Sequence, residues 1–358
     1  MVLPAVLKND ARFRIQDARY KTQGTEVRIQ NRICGASRIP YPSPCPGLIV
    51  VSVVIVNWNS GYLLENCVRS LLKNAADSQI IIVDNASTDS SLRFAEESQE
   101  RLVVIRNGRN LGFAAANNIG WRASASARVL FLNPDTECFP ESVGYLEQTL
   151  APSDDIWAAG GQLVGSSGEP QTGFNVRAFP SVSSVAAEML FLEEIWPSNP
   201  WSRPNDLTGA EREMDVDQPA AACLMVSKAA LEKIRGFDES FRPAWFEDVD
   251  LCRRIRNHGG RIRFQPEARF LHHGGYSLGL LSRQDFLESF HRNQILYFHK
   301  HHGPRAAARV KRLIVFGLFM RGVLSVACPL APNQTRAASV KTFWNAARRI
   351  LRCHGSIS

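Results

Sequence analysis

The residues of this chain that could do chemistry lie in three short stretches. FLNPDTE (Phe131 to Glu137) ends an apolar run from Val129 to Leu132 and then delivers Asp135. WFEDVDLCRR carries the adjacent carboxylates Glu247 and Asp248, and HHGG begins at His272. A buried strand that ends in a carboxylate fixes a negative charge at the carboxyl edge of a sheet, where ligands of open α/β sheets bind. Carboxylates together with a histidine suit a hard divalent ion and a phosphorylated substrate. The same residues have plainer uses. Asn-Pro-Asp makes good turns, and acids favour the first turn of a helix.

The elements that must position these groups are legible from Leu48 onward. LIVVSVVIVNWN is a long β-branched run, as expected of a strand buried on both faces. GYLLENCVRSLLKN has helical spacing at Leu63, Leu64, Cys67, Val68, Leu71 and Leu72. QIIIVDNASTD predicts a second buried strand, ending in Asp84; Ser90 to Ser98 predicts a helix and RLVVIRN a third strand. A helix opened by Gly112 and a fourth strand, ARVLFLNPD, follow. Strands alternating with helices predict an α/β fold with a mainly parallel sheet flanked by helices. Polar residues then share one edge: Asn57 and Asn59, Asp84 and Asn85, Asn110, Asn133 and Asp135. Residues 151–215 are less regular. Beyond them come a short strand and helix in PAAACLMVSKAALEKI, a helix in EDVDLCRRIRNHGG, and a strand pair, or a strand and turn, in RIRFQPEARFLHHGG. Asp89 is expected as a helix cap and Asp250 as a solvated helix residue; His258, His291, His299, His301 and His302 are expected at the surface.

Charge is unevenly spread. The net charge is +8, but from Ser289 to the end there are twelve Lys/Arg and no acid, leaving −4 for the rest. Such a tail predicts contact with an anionic surface. Leu313 to Ala331 is nineteen residues, apolar apart from Arg321 and Ser325. That length suffices to span a bilayer; the central Arg opposes a span, and the flanking Arg309, Lys311 and Arg312 suit a helix lying in the interface. A helix packed on the protein is the third alternative. None of the eight cysteines forms a C-x-x-C pair, which argues against a zinc site and fits a reducing cytoplasm. MVLPAVLKND is too short and too soon charged for a secretory signal. Residues 1–47 are expected to be a poorly ordered extension, with RIPYPSPCPG as linker. The residues after the first strand, NWNSGYLL, lack the G-x-G-x-x-G that a dinucleotide-dependent oxidoreductase would show. The tail's cations surround an apolar run, which favours lipid over nucleic acid.

VSVVIVNWNS, IIVDNASTD, NLGFAAANN, FLNPDTE, GFDESF, FEDVDLCRR and HHGGYS, in this order, resemble inverting glycosyltransferases of family 2. The likeness covers about Val51 to Ser277 and is nearest to the bacterial rhamnosyltransferase-like branch that builds cell-surface polysaccharide. It implies a GT-A fold over residues 48–290, with a nucleotide-binding half (48–140), an acceptor-binding half (141–290), and a basic helical tail from 291 to 358. It implies that Val56, Asn57, Asn59 and Asp84 cradle the nucleobase and ribose, and that Asn110 and Gly112 line the nucleotide site. Asp135 takes the second acid of the family's D-x-D signature, and Asn133 stands where the first acid would be, which weakens the metal site by one charge. His272 completes the metal site, with His273 as its close competitor. Asp248 is the base and Glu247 its neighbour. Trp245 is either acceptor wall or core, and Asp84 either a nucleobase contact or a helix cap.

The resemblance implies Mg2+ or Mn2+, a dTDP- or UDP-sugar donor, and a lipid-linked or polysaccharide acceptor at the inner face of the cell membrane. Rhamnose from dTDP-rhamnose is the expected donor sugar; galactofuranosyl or another hexosyl transfer from a UDP-sugar is the alternative. One base without a covalent intermediate predicts inversion. A nucleotide-sugar-binding protein without transfer activity would have no need of Asp248.

Overall fold

A computed structural model of the protein describes residues 50–96, 101–150, 155–171, 173–196, 199, 212–274, 281–327 and 335–352. The segment expected to be a disordered extension, residues 1–47, lies outside them. Strands β1 (Val51–Asn57), β2 (Ser78–Asp84), β3 (Leu102–Arg106) and β4 (Arg128–Leu132) pair in parallel in the order β3-β2-β1-β4. The β-branched runs form β1 and β2 because both faces are covered: Val53, Val54, Ile55, Ile80, Ile81 and Ile82 are all fully buried. One face holds helix α1 (Tyr62–Asn74), whose Leu64, Cys67, Val68 and Leu71 pack on Val53, Ile55, Ile80 and Ile82. The other holds α2 (Phe113–Arg122), whose Ala114, Ala116 and Trp121 meet Val54, Ile81 and Val83. Gly120 allows this close approach, since a Cβ there would lie 2.3 Å from Val54 Cγ1.

Beyond β4 the sheet is mixed. It continues through β5 (Thr136–Cys138), β6 (Ile156–Val164), β10 (Cys223–Ser227) and β11 (Arg261–His272) in the order β4-β10-β6-β11-β5. β10 is antiparallel to both β4 and β6, β6 and β11 are parallel, and β5 closes the edge antiparallel to β11. Two-residue strands β7 (Val176–Arg177) and β9 (Gln218–Pro219) pair with each other, and β8 (Met214–Asp215) pairs with β11. Of 261–275, expected as a strand pair or a strand and turn, residues 261–272 form one strand, with its register shifted between Gln265 and Arg269. Of the helix expected over Ser90 to Ser98, the described residues hold a 3₁₀ turn at Arg93–Glu96.

The longer of the remaining helices are α3 (Ser142–Leu150), α4 (Val182–Met189), α5 (Lys228–Ile234), α6 (Glu247–Asn257), α7 (Arg283–Ala327) and α8 (Arg336–Arg352). α7 is two helices joined at Gly303 (φ 83°) and Pro304, as expected where Pro removes a helical donor. Its buried Tyr297, Phe298, Val310, Ile314 and Leu318 share a core with Phe241, Phe246, Val249, α4 and α8. Among the described residues no helix is long and apolar enough to cross a membrane. Arg321 explains why its charge is tolerated mid-helix: its guanidinium donates to the carbonyl of Glu188 at 2.9 Å and to that of Met189 at 3.3 Å, at the C-terminal end of α4.

Candidate active site

The carboxyl edge of the parallel strands is a polar network. Asn57, at the end of β1, points its amide NH2 at Asp84 Oδ1 (2.8 Å), Ser91 Oγ (2.9 Å) and Ser87 Oγ (3.0 Å). Asp84 Oδ2 also accepts from the Ser87 backbone, so Asp84 caps the turn after β2 as well as facing the edge. Val56 lies buried one residue before Asn57. Asn59, at φ 51°, accepts from the Thr88 amide at 2.7 Å, while its own amide donates to Ser87 Oγ. Asn110 Oδ1 accepts from the Gly112 amide, and Asn85 donates to the Gly112 carbonyl. Gly112 has φ 88°, and a Cβ there would lie 3.0 Å from the Pro243 carbonyl oxygen; only glycine meets both demands comfortably. Asp89 accepts from the amides of Gly61 and Ser91, so it braces the turn before the 3₁₀ segment instead of capping a helix at Ser90.

β4 stops at Asn133-Pro134, and the Asn133 amide donates to the Ala222 carbonyl. Asp135 is then presented, 6% exposed. The antiparallel register of β5 on β11 sets Thr136 opposite His272. His272 Nε2 thereby comes within 3.6 Å of Asp135 Oδ1. His273 turns the other way and pairs with Glu137 at 2.9 Å, which separates the two candidate histidines. Burial holds the His272 imidazole below the ordinary histidine pKa, against the pull of Asp135. Its other face is fixed by the loop after β6. Gln171 contacts both Nδ1 and the backbone carbonyl of His272, and the Phe174 ring stacks on the imidazole (centroids 5.3 Å apart, 14° between planes). Arg177 in turn lies over Phe174, its guanidinium carbon 4.8 Å from the ring centre.

Glu247 and Asp248 open α6. Before them Trp245 (φ 76°) and Phe246 (φ 72°) are both left-handed, a conformation that costs non-glycine residues about 1–3 kcal/mol each. The strain is held by buried Asn293 of α7, whose amide NH2 faces the carbonyls of Arg242 (3.2 Å), Ala244 (2.9 Å) and Trp245 (3.0 Å). Arg292 donates to the Arg242 carbonyl as well. The Pro243 carbonyl meets the Phe113 amide at 2.8 Å, so this loop rests on the N-terminus of α2. Trp245 is half-buried and packs edge-on against Phe286. Asp248 is half-buried and accepts from Gln218 Nε2 at 3.3 Å and from the Val249 amide. Burial raises its pKa, opposed chiefly by the Arg177 cation. Glu247 is buried, with Oε2 unpartnered among the described residues. Burial and then the charge of Asp248 push its carboxyl well above the ordinary carboxylate range.

Two sequence expectations are corrected here. Asp250 is not solvated: it is fully buried and pairs with Arg254 (2.7 Å), Lys300 (2.7 Å) and His301 (2.7 Å), tying α6 to α7. His301 is accordingly a buried partner, and His291 is buried against Gln294. Gln171, Arg177, Gln218 and Asn293 carry no motif and became visible only in three dimensions. Among the described residues no group of three or more His, Cys, Asp or Glu converges on one point.

Residues 52–227 match the family described as Glycosyl transferase family 2. The chain is 27% identical over 304 residues to the N-acetylglucosaminyl-diphospho-decaprenol L-rhamnosyltransferase of Mycobacterium tuberculosis, covering 80% of this chain and 96% of that protein. It is 25% identical over 253 residues to the low-salt glycan biosynthesis hexosyltransferase Agl10 of Haloferax volcanii, covering 67% and 75%. The crystal structure of GalNAc-T7 with UDP, GalNAc and Mn2+ shares the fold at TM-score 0.52 and 13% identity, over 84% of this chain and 55% of that one. With this GT-A-like sheet and its flanking helices, the chain is a glycosyltransferase whose residues 52–227 match family 2, related at moderate identity to bacterial rhamnosyltransferases.

Proposed function

We propose that the enzyme transfers rhamnose from dTDP-rhamnose, with inversion, to a lipid-linked or polysaccharide acceptor in cell-surface glycan synthesis. The observation that carries the mechanism is one stack of side chains. His272, Phe174 and Arg177 lie in series, with Asp135 at one end and the charge of Arg177 acting on Asp248 at the other. The choice of rhamnose rests on the mycobacterial relative, matched over 96% of its length.

In this proposal Val56, Asn57, Asn59, Asp84, Asn110, Gly112 and Asn133 form the nucleotide edge. Asp135 and His272 fit a divalent ion: a hard carboxylate oxygen and an imidazole nitrogen face each other at 3.6 Å, too far for a hydrogen bond. With two protein ligands, diphosphate and water must supply the remainder. Bound Mg2+ or Mn2+ supplies charge neutralisation of the leaving diphosphate. Asp248 takes the proton of the acceptor hydroxyl as its oxygen forms the bond to the anomeric carbon, and the nucleoside diphosphate leaves with the bonding pair. Glu247, buried beside the base, does not itself act as base. Trp245 borders the acceptor.

The second element of the proposal is contact with an anionic membrane surface at the cytoplasmic face. α7 buries Ile314, Leu318 and Ser325 and exposes Phe316 (50%), Phe319 (48%) and Val326 (57%). α8 adds exposed Leu351, and Lys311, Arg312 and Arg348 border the same groove. Calorimetric titration with dTDP and UDP, each with and without Mn2+, tests the donor. Metal-dependent binding of dTDP over UDP is expected. Preference for UDP would favour galactofuranosyl or other hexosyl transfer, in line with the Haloferax relative; binding of neither would sink the donor assignment.

A further inference from the structure

Gln171 is placed to decide which nitrogen of His272 is free. Its Nε2 donates to the His272 backbone carbonyl at 2.7 Å, and its Oε1 lies 2.8 Å from His272 Nδ1. A carbonyl can only accept, so the amide cannot be turned round without setting two oxygens against each other. Oε1 must therefore face Nδ1, and an oxygen acceptor at that distance requires a hydrogen on Nδ1. In the neutral ring that leaves a bare lone pair on Nε2, the atom that faces Asp135. Two lone-pair atoms turned toward each other in a buried site call for something between them, and a divalent cation satisfies both at once.

The loop that carries Gln171 is built to hold this position. Asn175 pairs with both the amide (2.6 Å) and the carbonyl (3.0 Å) of Leu163 at the end of β6. The Gln171 amide donates to the same carbonyl at 2.9 Å, and the Gln171 carbonyl accepts from Phe174 and Asn175. Phe174 stacked on the imidazole then fixes the ring plane.

We propose that Gln171 is a positioning residue that locks His272 in the Nδ1–H tautomer and so presents Nε2 as a metal ligand. The proposal rests on the metal assignment made for Asp135 and His272 and adds a residue to it. Nitrogen NMR of metal-free protein labelled at histidine reads the tautomer directly, with His272→Gln to assign the signal. The wild type should show a pyrrole-like Nδ1 and a pyridine-like Nε2. Gln171→Leu should lose that pattern and weaken Mn2+ binding in the presence of dTDP or UDP about 10- to 100-fold, read by electron paramagnetic resonance. Gln171→Glu keeps an acceptor for Nδ1 and should restore the tautomer. A wild-type His272 protonated on Nε2 overturns the proposal whether or not the variants fold. So does a Leu variant with unchanged tautomer and Mn2+ affinity. The expected tautomer in a wild type that binds no Mn2+ instead overturns the metal assignment, so the two failures are told apart.

Discussion

Asp248 is the residue on which the proposed chemistry turns, and its surroundings make its behaviour predictable. Asp248→Asn should cut transfer by about 10²- to 10⁴-fold while leaving nucleotide binding within a few-fold, checked by product formation against calorimetry. Burial raises the Asp248 pKa and Arg177 opposes that rise. The acidic limb of kcat/KM should therefore lie above the ordinary aspartate value, and Arg177→Gln should move it further up in pH. A limb that does not move on removing Arg177 would detach that residue from the base. Glu247 gives a second pH signature, in stability. Its folded pKa lies above the ordinary value of 4.5, so the stability it contributes is complete below that pH and is lost as pH rises toward the folded value. Glu247→Gln should melt with the wild type near pH 4 and progressively above it toward pH 8, measured by thermal unfolding across pH. Asp135 and the Glu247–Asp248 pair were legible in sequence because each sits at the boundary of a local element, where strand or helix signals end. Gln171 was not, because its partner lies 101 residues away and nothing local marks the contact.

At the scale of elements, the loop before α6 depends on α7. Two adjacent left-handed residues are kept in place by one buried amide. Asn293→Leu removes that donor from three carbonyls and should cost about 1–3 kcal/mol in unfolding free energy. It should also lower kcat more than it raises the nucleotide dissociation constant, since the nucleotide edge lies on other strands. Unchanged kcat in a folded Asn293→Leu enzyme would show that the loop holds its shape without α7. The parallel strands were readable from β-branched runs, but β6 was not. Its IWAAGGQLV lacks such a run. Gly160 and Gly161 suggest a loop until one sees that a Cβ on the first would lie 2.2 Å from Pro219 Cβ, and on the second 2.6 Å from the Ala268 carbonyl oxygen. Gly160 makes room for the Pro219 ring and Gly161 for the β11 backbone, which a linear pattern does not reveal.

For the whole molecule, the helical tail is part of the fold as well as its proposed membrane face. Tyr297, Phe298 and Ile314 share a core with Phe241 and Val249, so truncation before α7's second half would test folding rather than binding. Exposed positions make the better test. Phe316→Ser with Phe319→Ser, or Arg312→Glu with Arg348→Glu, should reduce sedimentation with anionic liposomes while leaving the melting temperature within a few degrees. Equal sedimentation of both doubly substituted proteins would remove this face from the membrane proposal. The sequence already showed a basic, acid-free tail. It did not show which side of it packs, because Arg321 looks like a flaw in an apolar run until the α4 carbonyls that receive it are in place.

The break at Gly303 and Pro304 divides the labour of α7. Asn293, Lys300 and His301 lie before it and serve α6 and its loop; Phe316, Phe319 and Val326 lie beyond it and face outward. One helix thus carries two separable addresses. Substitutions at exposed positions after the break should change where the enzyme works, and substitutions before it should change how fast.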